Sequence, residues 1–495
     1  MKFNLKMSAK LVVCVLAAAS LLLSSCKKEE EAAFGILTMS LTMPNGQTVD
    51  CAVDQVTYAI NNEADPIEPG LPASLLVMKI NYTATLETDV TLNGQPVVNG
   101  ETSADFSAPV TVKAVKGSKE HIYTITVVAD ANDKSETEGK RVNADMTKAG
   151  FPQAAWYDIV MFKGEFWAIT STYPEGTADA NPALYHVYKS VDGISWTKVD
   201  TNIPVVGGYG SRLVVFKDKL FAYAGGHIYG TCEDGTPAEA MFGMPTIMNY
   251  AIYYTSDGVN WESVSKTMSE MPVSMRGHVD PKFVVVGDKL VNLGGLACSF
   301  GMFQPQQCVC VSEDGLNWVE DPDAKGAENY GAAVGTRGNS AAFEFGGKIF
   351  NVGGFANYLA PTHPEWVFET VSSSADAGTT WTVGDQPAGF GAAWGMRVAV
   401  GNNGVMYMVG GESLDEVDGR KTTNVVYRST DGLNWTPLAG EMAMPETFEP
   451  RLRPVTVVDG DMLWIFGGRK ASTGNYAAPA PTDEVILDTW KKRIK

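Results

Sequence analysis

The stretch Ser190-Val-Asp-Gly-Ile-Ser-Trp196 returns as Thr255-Ser-Asp-Gly-Val-Asn-Trp261, Ser312-Glu-Asp-Gly-Leu-Asn-Trp318 and Ser429-Thr-Asp-Gly-Leu-Asn-Trp435. A longer form stands at Ser374-Ala-Asp-Ala-Gly-Thr-Thr-Trp381. The hydroxyl positions 190, 255, 312, 374 and 429 are 65, 57, 62 and 55 residues apart. Recurrence at this period marks a repeated supersecondary unit stacked on its neighbours.

A second marker runs in step with the first. Apolar runs end in Gly-Gly at Gly225-Gly226, Gly294-Gly295, Gly353-Gly354, Gly410-Gly411 and Gly467-Gly468. Each follows another apolar run across a polar or glycine turn, as in Leu213–Phe216, Lys217-Asp-Lys219 and Leu220–Ala224. That is a hairpin signal. Each unit reads as strand A, tight turn, strand B, long loop, strand C, Asp-Gly turn and strand D. Four antiparallel strands per repeat make a propeller blade.

The count predicts an all-β, six-bladed propeller over 151–495. The first blade lacks Gly-Gly and uses Phe166–Thr170 as strand B. The last lacks the Asp-Gly turn, and the chain ends soon after Trp490. Lys140–Met146 is therefore expected to supply the missing outer strand beside Val485–Leu487, since an open ring exposes unpaired backbone.

These marks resemble kelch repeats, in which an Arg precedes strand A, Gly-Gly follows strand B and a Trp enters strand D. The C–D turn resembles the Asp-box of sialidase-type propellers, although only Ser374–Trp381 has the full-length form. The resemblance covers about residues 150–495 and implies a kelch-like fold. It implies no single activity, because this fold hosts many.

Residues 1–25 read as a signal segment, with Lys2, Lys6 and Lys10 ahead of the apolar run Leu11–Leu23. The run is short for a membrane span. Leu23-Ser-Ser-Cys26 resembles a bacterial lipobox, which implies lipidation of Cys26 and an anchored mature chain. The alternative is an ordinary secretory signal. The charged tether 26–33, with Lys27-Lys-Glu-Glu-Glu31, resembles the surface-export tag of Bacteroidota lipoproteins, or is a solvated spacer. The expected location is the outer membrane, lipid-anchored and exposed at the cell surface.

Residues 34–130 form a separate unit with strand-like runs at Ile36–Met43, Leu75–Thr83, Val90–Leu92, Val110–Ala114 and Tyr123–Val128. Asn93-Gly94 signals a hairpin. A small Ig-like β-sandwich fits, resembling a spacer module of such lipoproteins, with a linker over 131–150.

The formal net charge is −19, and loss of the three leader lysines brings it to −22. That argues against nucleic acid as partner. A monomer is expected. Of seven cysteines, five lie beyond Cys26, and they form no disulfide framework. Cys298 and Cys308 flank one loop and are close enough in sequence for a single bridge. His227, His278 and His363 fall near one end of three blades, but no metal site, cofactor or catalytic set is expected.

Blade topology sorts the residues onto two faces. The Asp-Gly turns fall on the bottom, where Ser and Asp satisfy local backbone. The top carries an Arg before strand A in five blades: Arg212, Arg276, Arg337, Arg397, and the pair Arg451 and Arg453. Aromatics in the same loops include Trp156, Tyr157, Tyr209 and Trp394. Guanidinium forks grip carboxylates, and aromatic faces stack on sugar rings. The same arginines could instead pair with acids and fix the blades. The function expected is a non-enzymatic binding protein taking a glycan or an extracellular protein at this mouth. The alternative is a glycan-active hydrolase or lyase using top-face carboxylates.

Overall fold

The computed structural model describes residues 34–129, 139–172, 184–203, 211–223, 240–245, 252–264, 278–321, 337–355, 367–384, 389–415, 419–470 and 484–494, short gaps within some of these spans excepted. The chain is all-β, with six four-stranded antiparallel sheets forming a β-propeller after a separate N-terminal sheet.

The N-terminal unit has nine strands. Ser103–Asp105, Val77–Ala84, Ile36–Thr42 and Thr48–Val53 form one half. Ala59–Asn61, Lys119–Thr126, Val110–Lys116, Asp89–Leu92 and Gln95–Pro96 form the other. The halves join where Thr48–Val53 pairs with Ala59–Asn61, so the two layers of the sandwich belong to one curled sheet. Ala59–Asn61 also runs parallel to Thr124–Thr126. Alternate residues such as Met39, Leu41, Ile80, Val112, Ala114, Tyr123 and Ile125 fill the enclosed core. This period-2 burial is what a curled sheet with one solvated face requires.

In the propeller, blade one comprises Trp156–Phe162, Glu165–Thr172, Leu184–Ser190 and Thr197–Val199. Blades two to five begin at Arg212–Phe216, Phe283–Val286, Ala341–Phe345 and Arg397–Val400. Blade six begins at Val455–Asp459 and continues through Met462–Arg469 and Val485–Arg493. Its outer strand is Lys140–Asn143, which pairs Lys140 with Lys491 and Arg141 with Trp490. Contact thus falls past Val485–Leu487, because Val485–Arg493 runs as one nine-residue strand. Val142 and Met146 from the N-terminal side enter a buried cluster with Phe166, Trp464 and Phe466, which spans blades one and six.

The first strands stand innermost. Residues from all six line a central channel of about 210 Å3, among them Asp158, Leu213, Phe283, Ala342, Val398 and Thr456. The second strands are the most buried, as in Leu220–Tyr223 and Met406–Val409. The outermost strands are short and largely exposed.

Each Ser/Thr-x-Asp turn is a closed hydrogen-bond unit. The hydroxyls of Ser190, Thr255, Ser312, Ser374 and Ser429 meet the Asp Oδ1 two residues on at 2.7–3.1 Å. At Asp192, Asp257, Asp314 and Asp431 the same oxygen accepts two backbone N–H groups of the turn, and at Asp376 in the longer turn it accepts that of Thr380. Asn260, Asn317 and Asn434 each donate from Nδ2 to the second carboxylate oxygen at 2.7 Å. The turn then presses its glycine against the preceding blade. A Cβ at Gly315, where φ is +77°, would lie 2.6 Å from the Phe221 ring, so only glycine fits. Gly258 meets Trp167, Gly432 meets Phe350 and Gly193 meets Trp464 in the same manner. Blade six has no such turn. Its place is taken by Ile494, buried with Val405 and Tyr407 of blade five.

Two outcomes follow from this arrangement. Val142→Asp puts a charge into the closing interface and should lower the unfolding free energy by about 3 kcal/mol or more. Urea denaturation checks this, and an unchanged midpoint would show that the strand does not close the ring.

The second concerns acid. Burial by itself would raise Asp314, but the N–H groups of Asn317 and Leu316 and the side chains of Asn317 and Ser312 bring it down to about 2. The backbone N–H of Asn260, first among several donors, lowers Asp257, and similar donors outweigh burial at Asp376 and Asp431. Carboxyls depressed on folding bind fewer protons in the native state than in the unfolded one. Their stabilisation is complete above the ordinary Asp value of about 3.9 and disappears as pH falls toward about 2. The melting temperature should therefore be level above about pH 5 and drop steeply below about pH 4, with Asp314→Asn showing a shallower drop.

Candidate functional site

The upper end of the channel narrows to a cavity of about 20 Å3 lined by Trp156, Tyr157, Arg212, Arg397, Arg453 and Arg469, among others. Each arginine arrives by a different local route. Arg212 and Arg397 open their first strands, thirteen residues before Gly225 and Gly410. Arg453 lies fourteen before Gly467 and holds a left-handed backbone, φ +51°. Arg469 follows Gly467-Gly468 at the end of the second strand of blade six.

The left-handed residue is part of a backbone relay between blades. Asn339, Gly395 and Arg453 have φ of +50°, +69° and +51°. Gly395 N–H donates to Asn339 O at 2.6 Å, and Arg453 N–H donates to Gly395 O at 2.7 Å. These bonds tie blades four, five and six together beside the mouth. Arg453 is thereby placed by the backbone, at a strained conformation of the kind that clusters at functional sites.

Arg212 is anchored on three sides. Its Nη1 lies 3.2 Å from Asp158 Oδ1, its Nε donates to Pro281 O at 3.2 Å, and its guanidinium sits 5.3 Å from the Trp156 ring. Asp158 also accepts the Leu213 N–H at 3.0 Å. Arg212 thus links blades one, two and three. The Arg453 guanidinium lies 5.6 Å from the same indole, so two cations share one aromatic ring. Arg397 Nη1 donates to Met396 O at 3.2 Å, and the side chain remains half-buried at the rim. Asp158 is the one acidic side chain among the described residues lining the mouth and channel. The described lining thus carries four arginines to one carboxylate.

The remaining predicted residues fall elsewhere. Arg337 and Arg451 are buried and fix their own blades, and so do not line the mouth. Both reach the carbonyl of the first glycine of Gly-Gly sixteen residues on, Gly353 at 3.3 Å and Gly467 at 2.9 Å. Both stack on an aromatic ring, Phe368 at 4.2 Å and Phe448 at 4.0 Å. Arg451 adds a bidentate pair with Asp488 at 2.7 and 3.2 Å. Burial lowers the Arg337 guanidinium to about 9, still protonated at neutral pH. Trp394 is fully buried on a two-residue strand paired with Glu412 and Ser413, so it offers no face to a ligand. Arg276 and Tyr209 lie outside the described residues, as do Cys26, Cys308, His227 and His363. Cys310, two residues after Cys308, is buried.

Tyr157 closes the seam between blades one and six. Its oxygen accepts the Gly468 N–H at 3.0 Å, and burial pushes its phenol up to about 12. A Cβ on Gly467 would collide with that hydroxyl, which gives the Gly-Gly mark its physical reason here. Trp156 beside it is buried, and its indole N–H has no hydrogen-bond partner among the described residues. Trp167, Trp196 and Trp464 share that property within blade interfaces.

Two mouth residues escaped the sequence reading. Asp158 is an acid inside the apolar strand Trp156–Phe162, and Arg469 is a charge directly after Gly-Gly; both patterns were visible signals. The spacing to Gly-Gly also separates the arginine classes: sixteen residues for the blade-fixing pair, thirteen or fourteen for the mouth.

No protein-family model and no curated protein matches the chain. Among solved structures, the chain is similar to the structure of YjhT at 12% identity and a TM-score of 0.42, over 68% of this chain and 94% of that one.

The two classes should separate on denaturation. Arg451→Ala leaves Asp488 buried without its cation and should lose about 3–5 kcal/mol. Arg397→Ala should lose less than about 1 kcal/mol. Equal losses in urea titrations would place Arg397 with the blade-fixing arginines.

Proposed function

We propose that this protein is a lipid-anchored surface protein that binds an acidic extracellular ligand, a glycan or a protein segment, at the top of its propeller. The observation that carries the reading is the convergence of Arg212, Arg397, Arg453 and Arg469 with Trp156 at one end of the channel. A planar carboxylate fits a guanidinium fork in two parallel hydrogen bonds, and the buried Trp156 ring holds the Arg212 and Arg453 guanidinium groups at the mouth.

The repeats support a kelch-like assignment with Asp-box-like turns, in which the turns are structural and the opposite face recognises the ligand. Anchoring rests on the lipobox-like Leu23–Cys26 and the charged tether after it. Among the described residues no helix is long and apolar enough to cross a membrane. A lipid on Cys26, with the N-terminal unit as spacer, would hold the mouth away from the bilayer.

The test is a glycan array rich in uronic and other acidic sugars, followed by calorimetry on the hits. Arg397→Ala should weaken binding by about ten- to a hundredfold, the worth of one charge-assisted bond, with the melting temperature held. Added salt should weaken it as well, because screening reduces the attraction between an acidic ligand and the half-buried Arg397 at the rim. Binding that ignores both the substitution and salt would sink the reading. Labelled palmitate should enter the wild type in a lipoprotein-processing host and be absent from Cys26→Ala.

A further inference from the structure

Blade five carries an elaboration of its long loop. Glu412–Asp415 and Gly419–Thr422 form a hairpin, and Ala393–Trp394 from the preceding loop pairs along it. Between this small sheet and the blade lies a cavity of about 490 Å3, within the size range of small-ligand sites. It shares no lining residue with the arginine mouth or the channel.

The chemistry of its walls is mixed, aromatic on one part and polar on another. Phe390 and Tyr427 are half-buried in the wall and pack against a core that contains Met396 and Met408. The polar side is Thr422, Thr423 and Asn424 from the hairpin's return. Asn424 is held by its Nδ2 donating to Phe448 O at 3.1 Å. Glu412 is fully buried and Lys421 exposed, and the register pairs Glu412 with Thr422 and Ser413 with Lys421, which sets the two side chains on opposite faces of the hairpin. Burial raises the Tyr427 phenol above its ordinary value, and no hydrogen bond to a described residue engages its hydroxyl.

We infer that this cavity is a second, lateral ligand site, independent of the arginine mouth, and that it takes a neutral hydroxylated ring such as a pyranose. Two aromatic rings provide stacking faces for the C–H side of a sugar. Hydroxyl and amide groups on the opposite wall match its equatorial hydroxyls. The lining is mostly uncharged and has no arginine among the described residues, so it offers an anion none of the guanidinium forks of the mouth.

The probes are the methyl glycosides of glucose, galactose and N-acetylglucosamine, followed by saturation-transfer NMR and calorimetry. At least one should bind saturably. Phe390→Ala should weaken it about tenfold, the size of one stacking contact. Tyr427→Phe keeps the ring and the packing, so it tests the hydroxyl without endangering the fold. It should weaken binding several-fold at an unchanged melting temperature. Arg397→Ala should leave this binding intact while it impairs acidic ligands, so the two sites fail separately. The inference is overturned if none of the three glycosides binds, if binding ignores both Phe390→Ala and Tyr427→Phe, or if Arg397→Ala abolishes it.

Discussion

The docking of each Ser/Thr-x-Asp turn onto the neighbouring blade is the contact on which the rest of the propeller depends. The turn satisfies its own backbone through one hydroxyl and one carboxylate, so it can be rigid without a sheet around it. That rigidity lets a glycine sit flat against an aromatic or aliphatic side chain of the preceding second strand, Phe221 under Gly315 and Trp167 under Gly258. The tryptophan that follows fills the same interface, as Trp261 does beside Trp167 and Leu213. Repeated round the ring, this contact sets how closely successive blades approach, and therefore how wide the central channel is.

The ring must still close, and blade six does so without the turn. Its third strand is extended to nine residues, and the chain segment ahead of the propeller supplies the outer strand. Closure by a non-local strand is slow to form, since its loop entropy is met only after the blades assemble. It also makes the N-terminal segment part of the propeller's stability. The seam is correspondingly rich in ordered contacts: Phe166, Trp464, Phe466 and Trp196 pack edge to face, and Arg451, Asp488 and Trp490 form a buried hydrogen-bonded group.

The same short segment before each first strand carries two different jobs. An arginine sixteen residues ahead of Gly-Gly turns inward, grips a glycine carbonyl and stacks on a phenylalanine, as Arg337 and Arg451 do. One two or three residues later sits at the channel rim. Arg212 has a mixed role, since it pairs with Asp158 while lining the mouth.

The sequence by itself determined the propeller, its blade count and the structural role of the Asp-Gly turns, because those follow from local periodicity and turn chemistry that each repeat states again. It also pointed to Lys140–Met146 as the closing segment, since the last repeat visibly lacked a strand. Tertiary structure decided which arginines line the mouth of the channel. Arg212, Arg337, Arg397 and Arg451 look alike along the chain, but a small offset against the Gly-Gly turn rotates a guanidinium from the channel rim into the blade. It likewise decided that Trp394 is core, that Asp158 and Arg469 join the mouth, and that the N-terminal strands form one curled sheet. Those outcomes depend on which residues meet across blades and across the parallel pairing of Ala59–Asn61, and contacts between distant segments leave no local pattern in a single sequence.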